Sequence, residues 1–564
     1  MAFSKGLYSL LVASVLAATV HAGLVQRASD PCAAIAGQKW VAPSDVRACF
    51  NSIPVDASTK ANILEVVSKT LAFHTSVNFQ IQAPFPFSED VHENLFSDFS
   101  RISRQRYSSD FELHVDMSRT LKRLNDGHCV YINQCYDSLF LTFLPTPLVL
   151  LTDSSGVQNV HIAPEAFSVA SAEFADEIDF WQNALPGSLK GQLSSLAGAK
   201  VLRINGADPF VAVNANAAIT GSFQSFGTRQ NSFFASYNRG TSGWSYIMGN
   251  FAQMSLPLTD SATLTIQRVG SNKVETITLP YRSRIGATAV PWTDKASFLA
   301  NNCVATPGTN GVDAYASSTK RDDGGPTPEV APVGAFQQQP SITPRDRRLH
   351  ALNVLLDTAP QLDITLPPGL TPPNPVSGSN GVSQFFMLDD GKTGVLALGS
   401  FSAGSFDQLE ASMLNGLLTL KNSGATQLIV DVTGNGGGFI CLAHWLHRII
   451  AGPKGTTEPQ AGLNTIARAG PLAKLITEAI INQNADPDDF LLYNPINWAA
   501  PNGTQFTSSH NWLEPSVKKI INRKLDMFSP TMSDICQPFD MTAPSEPLFD
   551  TTKVAILLFG IYLT

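Results

Sequence analysis

Apolar residues recur near every 3.6 positions over Lys60–Ala72 and again over Phe111–Leu124, which predicts two amphipathic helices early in the chain. The second runs into Asn125-Asp126-Gly127, residue types that end helices and turn the backbone. From Pro31 to about Leu124 the pattern is mainly helical. The period then shortens. Cys129-Val130-Tyr131-Ile132 reads as a short β-like stretch, and Leu139–Leu151 as a strand-rich run interrupted by Pro145 and Pro147. Over 185–285 strand patterns dominate. Ala199–Ile204 reads as a strand entering a turn at Asn205-Gly206, and Ala262–Arg268 alternates with Glu275–Leu279 as a hairpin around Gly270. Residues 304–345 are rich in Pro, Gly, Ser and Thr and predict a linker or surface loop with no core of its own; a second Pro/Gly-rich stretch covers 366–381.

From Phe385 the pattern alternates between buried strands and amphipathic helices. Gly394–Leu398 and Gln427–Val432 read as strands, Phe406–Leu420 and Phe439–Ile450 as helices, and Lys553–Leu558 as a further buried strand. Such alternation implies a mostly parallel sheet with helices on its faces. The fold class expected is therefore α/β plus α+β and multidomain, which suits a length of 564 residues. The divisions are 1–22, a helical region over 23–184, a β module over 185–285, a linker over 286–384 and an α/β domain over 385–564. No internal repeat is present.

Composition narrows the function. Hydrophobic residues make up 43% and charged residues 15%, enough apolar material for several cores. A formal charge of −8, with no long Lys/Arg run, argues against a nucleic-acid partner, which needs basic surface to displace counterions from phosphate. Lys5, the apolar stretch Leu7–Val20 and the small-residue ending Val20-His21-Ala22 come in the order of a secretory signal cleaved after Ala22. A buried N-terminal helix would not need that order. No later run of 18 apolar residues occurs, so no membrane partner is expected for the mature chain. Secretion favours disulfides over thiol chemistry. The close spacings suggest Cys32–Cys49 and Cys129–Cys135, and seven cysteines in all leave at least one unpaired. Asn502-Gly503-Thr504 is an N-glycosylation sequon.

The segment most suited to chemistry is Leu428-Ile429-Val430-Asp431-Val432-Thr433-Gly434-Asn435-Gly436-Gly437-Gly438. A strand running through glycines into a helix presents bare N–H groups beside a helix N-terminus, a setting for a bound anion or a transient oxyanion. Phe439-Ile440-Cys441 follows where a phosphate loop would have Gly-Lys-Ser/Thr, and the spacing is not that of a dinucleotide loop. Cys441, His444 and His447 lie three residues apart, but the first and last do not share a helix face well and no carboxylate joins them. They read as ordinary helix positions, and no metal or other cofactor is expected.

The strand ending in Asp431, the loop of Asn435 and glycines, and the helix after it resemble the catalytic domain of the tail-specific (C-terminal processing) serine peptidases, serine peptidase family forty-one. The resemblance implies that the backbone of Gly436, Gly437 and Gly438 helps form an oxyanion hole. Asn125-Asp126-Gly127-His128 resembles the Asp-Gly-His segment of the branch typified by the chlamydial protease-like activity factor, to which secreted fungal members are similar; this implies His128 as general base. Residues 185–285, with Val201-Leu202-Arg203-Ile204-Asn205-Gly206, resemble that branch's PDZ-like insert, and 385–564 its crotonase/ClpP-type α/β domain. The function implied is hydrolysis of peptide bonds in a polypeptide substrate, with peptide or precursor processing, such as maturation of ribosomally made peptide toxins, as the setting. Acyl-CoA chemistry also occurs on crotonase folds, but CoA is intracellular. In the family a serine nucleophile follows a late strand, and an acid comes later still. After Thr552–Leu558 this chain has only Phe559-Gly560-Ile561-Tyr562-Leu563-Thr564, and no G-x-S-x-G elbow occurs elsewhere. The nucleophile is thus unknown. The domain is expected to be C-terminally incomplete, or else the protein is a catalytically inactive peptide binder.

Lys320-Arg321 lies within the core-poor segment 304–345, so limited proteolysis is expected to cut there first. Earlier cutting inside 390–450 would contradict the reading.

Overall fold

Side-chain caps start several helices of the N-terminal region, Asn94 at the head of Leu95–Arg104 among them. The Asp56 carboxylate accepts from Thr59 N (2.7 Å) at the head of Ala57–Thr70, and Ser109 Oγ accepts from Glu112 N (3.2 Å) at the head of Asp110–Lys122. With Leu95–Arg104 between them, these helices bury Leu95, Phe99, Ile102, Leu113, Met117, Leu121 and Leu124 in one cluster. The computed structural model describes residues 30–127, 129–240, 243–287, 289–304, 364–372, 374–402, 406–452, 464–487, 491–533, 536, 539 and 541–557. The expected secretory signal, His128, Lys320-Arg321 and most of the expected linker lie outside the described residues.

Cys129–Ile132 does not form the β-like element expected. It turns back onto the helix instead: the Tyr131 hydroxyl lies 2.6 Å from His114 Nδ1, and His114 Nε2 lies 3.3 Å from Asp110 Oδ2. The run from Leu139 to Leu151 does split at its prolines. Phe140–Phe143 joins a four-stranded sheet between Arg282–Ile285 and Gln253–Met254, with Trp40–Val41 at its far edge. Leu148–Thr152 instead edges a five-stranded antiparallel sheet. That sheet continues through Gln158–Ile162, Lys200–Ile204, Ser261–Gln267 and Val274–Pro280, the last two as the expected hairpin with Gly270 at φ 72°. The β-rich region therefore draws on strands from before residue 185. Trp40, Phe174 and Trp181 meet edge-on or tilted in its core, where aromatic area contributes most of the burial.

The C-terminal sheet runs Ser383–Met387, Thr393–Leu398, Gln427–Asp431, Val554–Leu557. The first pair is antiparallel and the others are parallel. The helices Phe406–Asn422 and Ile440–Ala451 pack together, with Trp445 Nε1 donating to Glu410 O at 3.0 Å. Val554–Leu557 docks beside Gln427–Asp431 as the apolar pattern predicts. Its side chains are not buried as expected, however: Ile556 is 61% exposed. Residues 464–533 return to the N-terminal region, where Asp526 Oδ2 accepts from Asn78 (2.6 Å) and Arg468 Nη1 donates to Ala72 O (3.1 Å). Among the described residues no helix is long and apolar enough to cross a membrane.

Three disulfides are present. Cys32 is joined to Cys49. The expected Cys129–Cys135 pair does not form. Cys135 is bridged to Cys303 across 168 residues, and Cys129 is a free thiol. Short spacing misled because the 129–133 segment is held against His114, while the helix Lys295–Asn302 brings Cys303 to the opposite side of the Cys135 turn, in the cluster containing Phe50 and Phe298. The third bridge, Cys441–Cys536, anchors the helix behind the glycine loop.

Peptide mapping without reduction is expected to recover Cys135–Cys303 and Cys441–Cys536, with Cys129 as the free thiol. Burial, aided by the Asp126 charge, pushes that thiol up to about 12, so iodoacetamide at pH 8 should label it slowly until the protein unfolds. Rapid labelling of native protein would contradict this placement.

Candidate active site

The glycine loop leaves the sheet at the carboxyl ends of two parallel strands, where open α/β sheets bind ligands. Asp431 Oδ1 accepts from Thr433 N (2.9 Å) and closes the strand. The Asn435 side chain, 1% exposed, then spans the turn: Nδ2 donates to Leu398 O and Oδ1 accepts from Gly437 N, both at 2.8 Å. Gly436 N donates to Gly399 O (3.3 Å), Phe401 N to Gly437 O (2.8 Å) and Phe439 N to Phe401 O (3.1 Å). The loop is thereby laced to the segment 398–401.

Two glycines are required by close approach. Gly438, at φ 141°, has Phe401 O only 2.6 Å from where a Cβ would stand. Gly434, at φ 67°, has Asn238 Oδ1 at 2.7 Å from the same point. Asn238 belongs to the hairpin of Ser236–Gly240 and Gly243–Ile247, which packs on the α/β domain; Trp244 Nε1 donates to Gln384 Oε1 at 3.0 Å. A Cβ at Gly399 would collide with the Arg239 carbonyl.

The helix Ile440–Ala451 follows directly, and its first residue is preceded by Phe439 with no side-chain cap. The Gly436 and Gly437 N–H groups are spent on Gly399 O and Asn435 Oδ1, while the Gly438 N–H has no acceptor among the described residues. A free N–H at an uncapped helix N-terminus stabilises negative charge brought to it. Ser400, which touches the loop, directs its hydroxyl to Gly437 O (3.1 Å) and Ser402 O (3.3 Å), and so acts as a brace.

In sequence the chain is 25% identical over 361 residues to the Peptidase S41 family protein phomP1' of Diaporthe leptostromiformis, and 24% identical over 361 residues to phomP1 of the same organism. The chain resembles the S41 peptidases. The matched residues are 62% of this chain and 45% of each relative, so the chain spans less than half the length of the curated relatives it matches. No family model matches it. Among solved structures, mature CPAF complexed with lactacystin is similar at a TM-score of 0.39 and 12% identity, covering 88% of this chain and 79% of that one. A photosystem II D1 C-terminal processing protease has a TM-score of 0.18 at 11% identity, covering 72% of this chain and 66% of that one.

Of the residues singled out in this S41-like sequence, Gly436, Gly437 and Gly438 lie together in the loop. His128, the expected base, is outside the described residues, and its neighbour Cys129 is a protonated thiol. Cys441 is bonded to Cys536, which removes its sulfur as a metal ligand. Burial, aided by His447, holds His444 below the ordinary imidazole range on the same helix. Asn502 is exposed in a turn. The bracing role of Asn435, and Gly399 and the 236–247 hairpin altogether, escaped sequence reasoning. Only the Gly-Asn-Gly spelling hinted at Asn435, and nothing local marks a hairpin 190 residues upstream.

Asn435→Ala strands the Gly437 N–H and Leu398 C=O, and should lower stability by about 2–4 kcal/mol. Urea unfolding measures this, and a change below about 0.5 kcal/mol would show that the loop holds its shape without the amide.

Proposed function

We propose that this chain is a secreted serine-type peptidase of the tail-specific kind, hydrolysing peptide bonds in a polypeptide substrate. The observation that carries the reading is the Gly438 N–H. Among the described residues it stands without an acceptor, at the mouth of an uncapped helix, in a loop braced by Asn435, in a chain similar to S41 peptidases. Attack on a scissile carbonyl puts negative charge on its oxygen. The Gly438 N–H and the helix N-terminus would stabilise that oxyanion, while Gly436 and Gly437 hold the loop open. His128 takes the hydroxyl proton of a serine nucleophile and returns it to the leaving amine. That serine is not assigned to a residue of this chain.

The sheet bordered by Leu148–Thr152 and Val274–Pro280 serves as the PDZ-like module, where an extended peptide adds as a strand, and 385–564 serves as the crotonase/ClpP-type domain. Three disulfides support passage through an oxidising compartment, and exposure of Asn502 supports its glycosylation there. Serine-type hydrolysis calls for no cofactor.

The test is turnover of an internally quenched peptide library by the full polypeptide that the transcript encodes, beside its His128→Ala variant. Removing a general base should lower kcat by about a hundredfold or more. Unchanged turnover in the variant would remove His128 from the mechanism, and binding without turnover by the parent would mark a peptide-binding protein.

A further inference from the structure

Arg239 is 8% exposed, yet its Nε and Nη1 have no acceptor among the described residues. It makes no ion pair among the described residues. The contrast with Arg229 is instructive. That guanidinium, 3% exposed, donates to Ala217 O (2.9 Å), Phe223 O (2.7 Å) and Gln224 O (2.7 Å), and lies 3.2 Å from Asp90 Oδ1. Buried arginines are normally saturated in this way because an uncompensated charge in a low dielectric is expensive. Burial alone pushes the Arg239 pKa below its usual value, and no neighbouring acid raises it.

Its position gives the vacancy a meaning. The Arg239 backbone and Cβ press on Gly399, whose carbonyl accepts the Gly436 N–H at 3.3 Å, so the side chain starts next to the segment that holds the glycine loop, and its Nη1 reaches to 3.8 Å from where a Cβ on Gly243 would stand, at the turn end of the hairpin. Next to it in sequence, Asn238 Oδ1 packs on Gly434 and is likewise buried without a donor. Consecutive side chains of a strand face opposite sides, so the two groups are separate features: Asn238 meets the glycine loop, and the Arg239 guanidinium stands without an acceptor for Nε and Nη1 among the described residues. A carboxylate from an acidic residue of an extended peptide supplies the partner the guanidinium lacks.

We propose that Arg239 anchors a substrate subsite for an acidic side chain, so that the peptides taken at the glycine loop carry Asp or Glu at one position. This rests on the peptide-hydrolysing reading above. A guanidinium pairs with a carboxylate more strongly than with a neutral amide, and the pairing strengthens as water is excluded. The unpaired charge lowers the stability of the free protein in exchange for that recognition.

The experiment compares binding of fluorescein-labelled, C-terminally amidated decapeptide pairs that differ only in one Glu or Gln. The proteins are the parent chain, Arg239→Gln and Arg239→Lys. For one register the Glu peptide should bind the parent on the order of tenfold more tightly than its Gln partner. Arg239→Gln should bind both equally, and Arg239→Lys should keep part of the preference. Without ligand, Arg239→Gln should melt no lower than the parent; a lower melting temperature would mark a structural arginine and overturn the proposal. So would equal binding of the Glu and Gln peptides by the parent, or an Arg239-dependent preference for a free C-terminal carboxylate in place of a side chain. If no peptide binds, the peptide-hydrolysing reading fails, and an acetate titration decides the anion site. Thermal stabilisation by acetate that Arg239→Gln abolishes retains a carboxylate site at Arg239; no difference between the two proteins removes it.

Discussion

The Asn435 side chain joins two pieces of backbone that are otherwise held together by a short run of backbone hydrogen bonds rather than by a full strand ladder. On one side is the carbonyl of Leu398, the last residue of a buried parallel strand, and on the other the N–H of Gly437 in the loop. Because the amide is 1% exposed, water cannot replace either bond. The rest of the site follows from that brace. With Gly437 turned inward, its carbonyl meets Phe401 N, Phe439 N reaches Phe401 O, and the next helix starts with its N-terminus beside Gly438. A loop of glycines without such an anchor would spend conformational entropy each time it adopted this shape.

The β-rich region and the α/β domain meet beside that brace. Gly399 lacks a side chain where the Arg239 backbone arrives, and Gly434 lacks one where Asn238 arrives. The hairpin can therefore sit against the loop itself, with Trp244 bonded to Gln384 fixing its approach. Catalytic and recognition groups drawn from different parts of a chain need such a contact, because an error of an ångström in placement costs much of the rate. The bridge Cys441–Cys536 acts from behind, tying the helix that carries the loop to the C-terminal segment.

Local periodicity made the α/β strands and helices legible. Gln427–Asp431 and Ile440–Ala451 lie within a residue of the ends their apolar patterns imply, and Val554–Leu557 pairs where it should. The glycine loop was legible because four glycines between a strand and a helix have few other uses. Long-range facts were not. Cys303 meets Cys135 across a core that Phe50, Phe298 and their neighbours share, and no local spacing encodes that meeting. Tyr131 and Ile132 look like strand residues, yet the Tyr131 hydroxyl prefers His114 on the preceding helix. Residues 464–533 gave little pattern because their partners are Ala72, Asn78 and other residues some 400 positions earlier.

The central claim is that the Gly438 N–H receives the carbonyl oxygen of a bound peptide. A crystal structure with a peptidyl aldehyde tests it most directly. The account predicts the aldehyde oxygen about 3 Å from Gly438 N, with the peptide running along the 236–247 hairpin. An aldehyde held elsewhere, with the Gly438 N–H untouched, would contradict it.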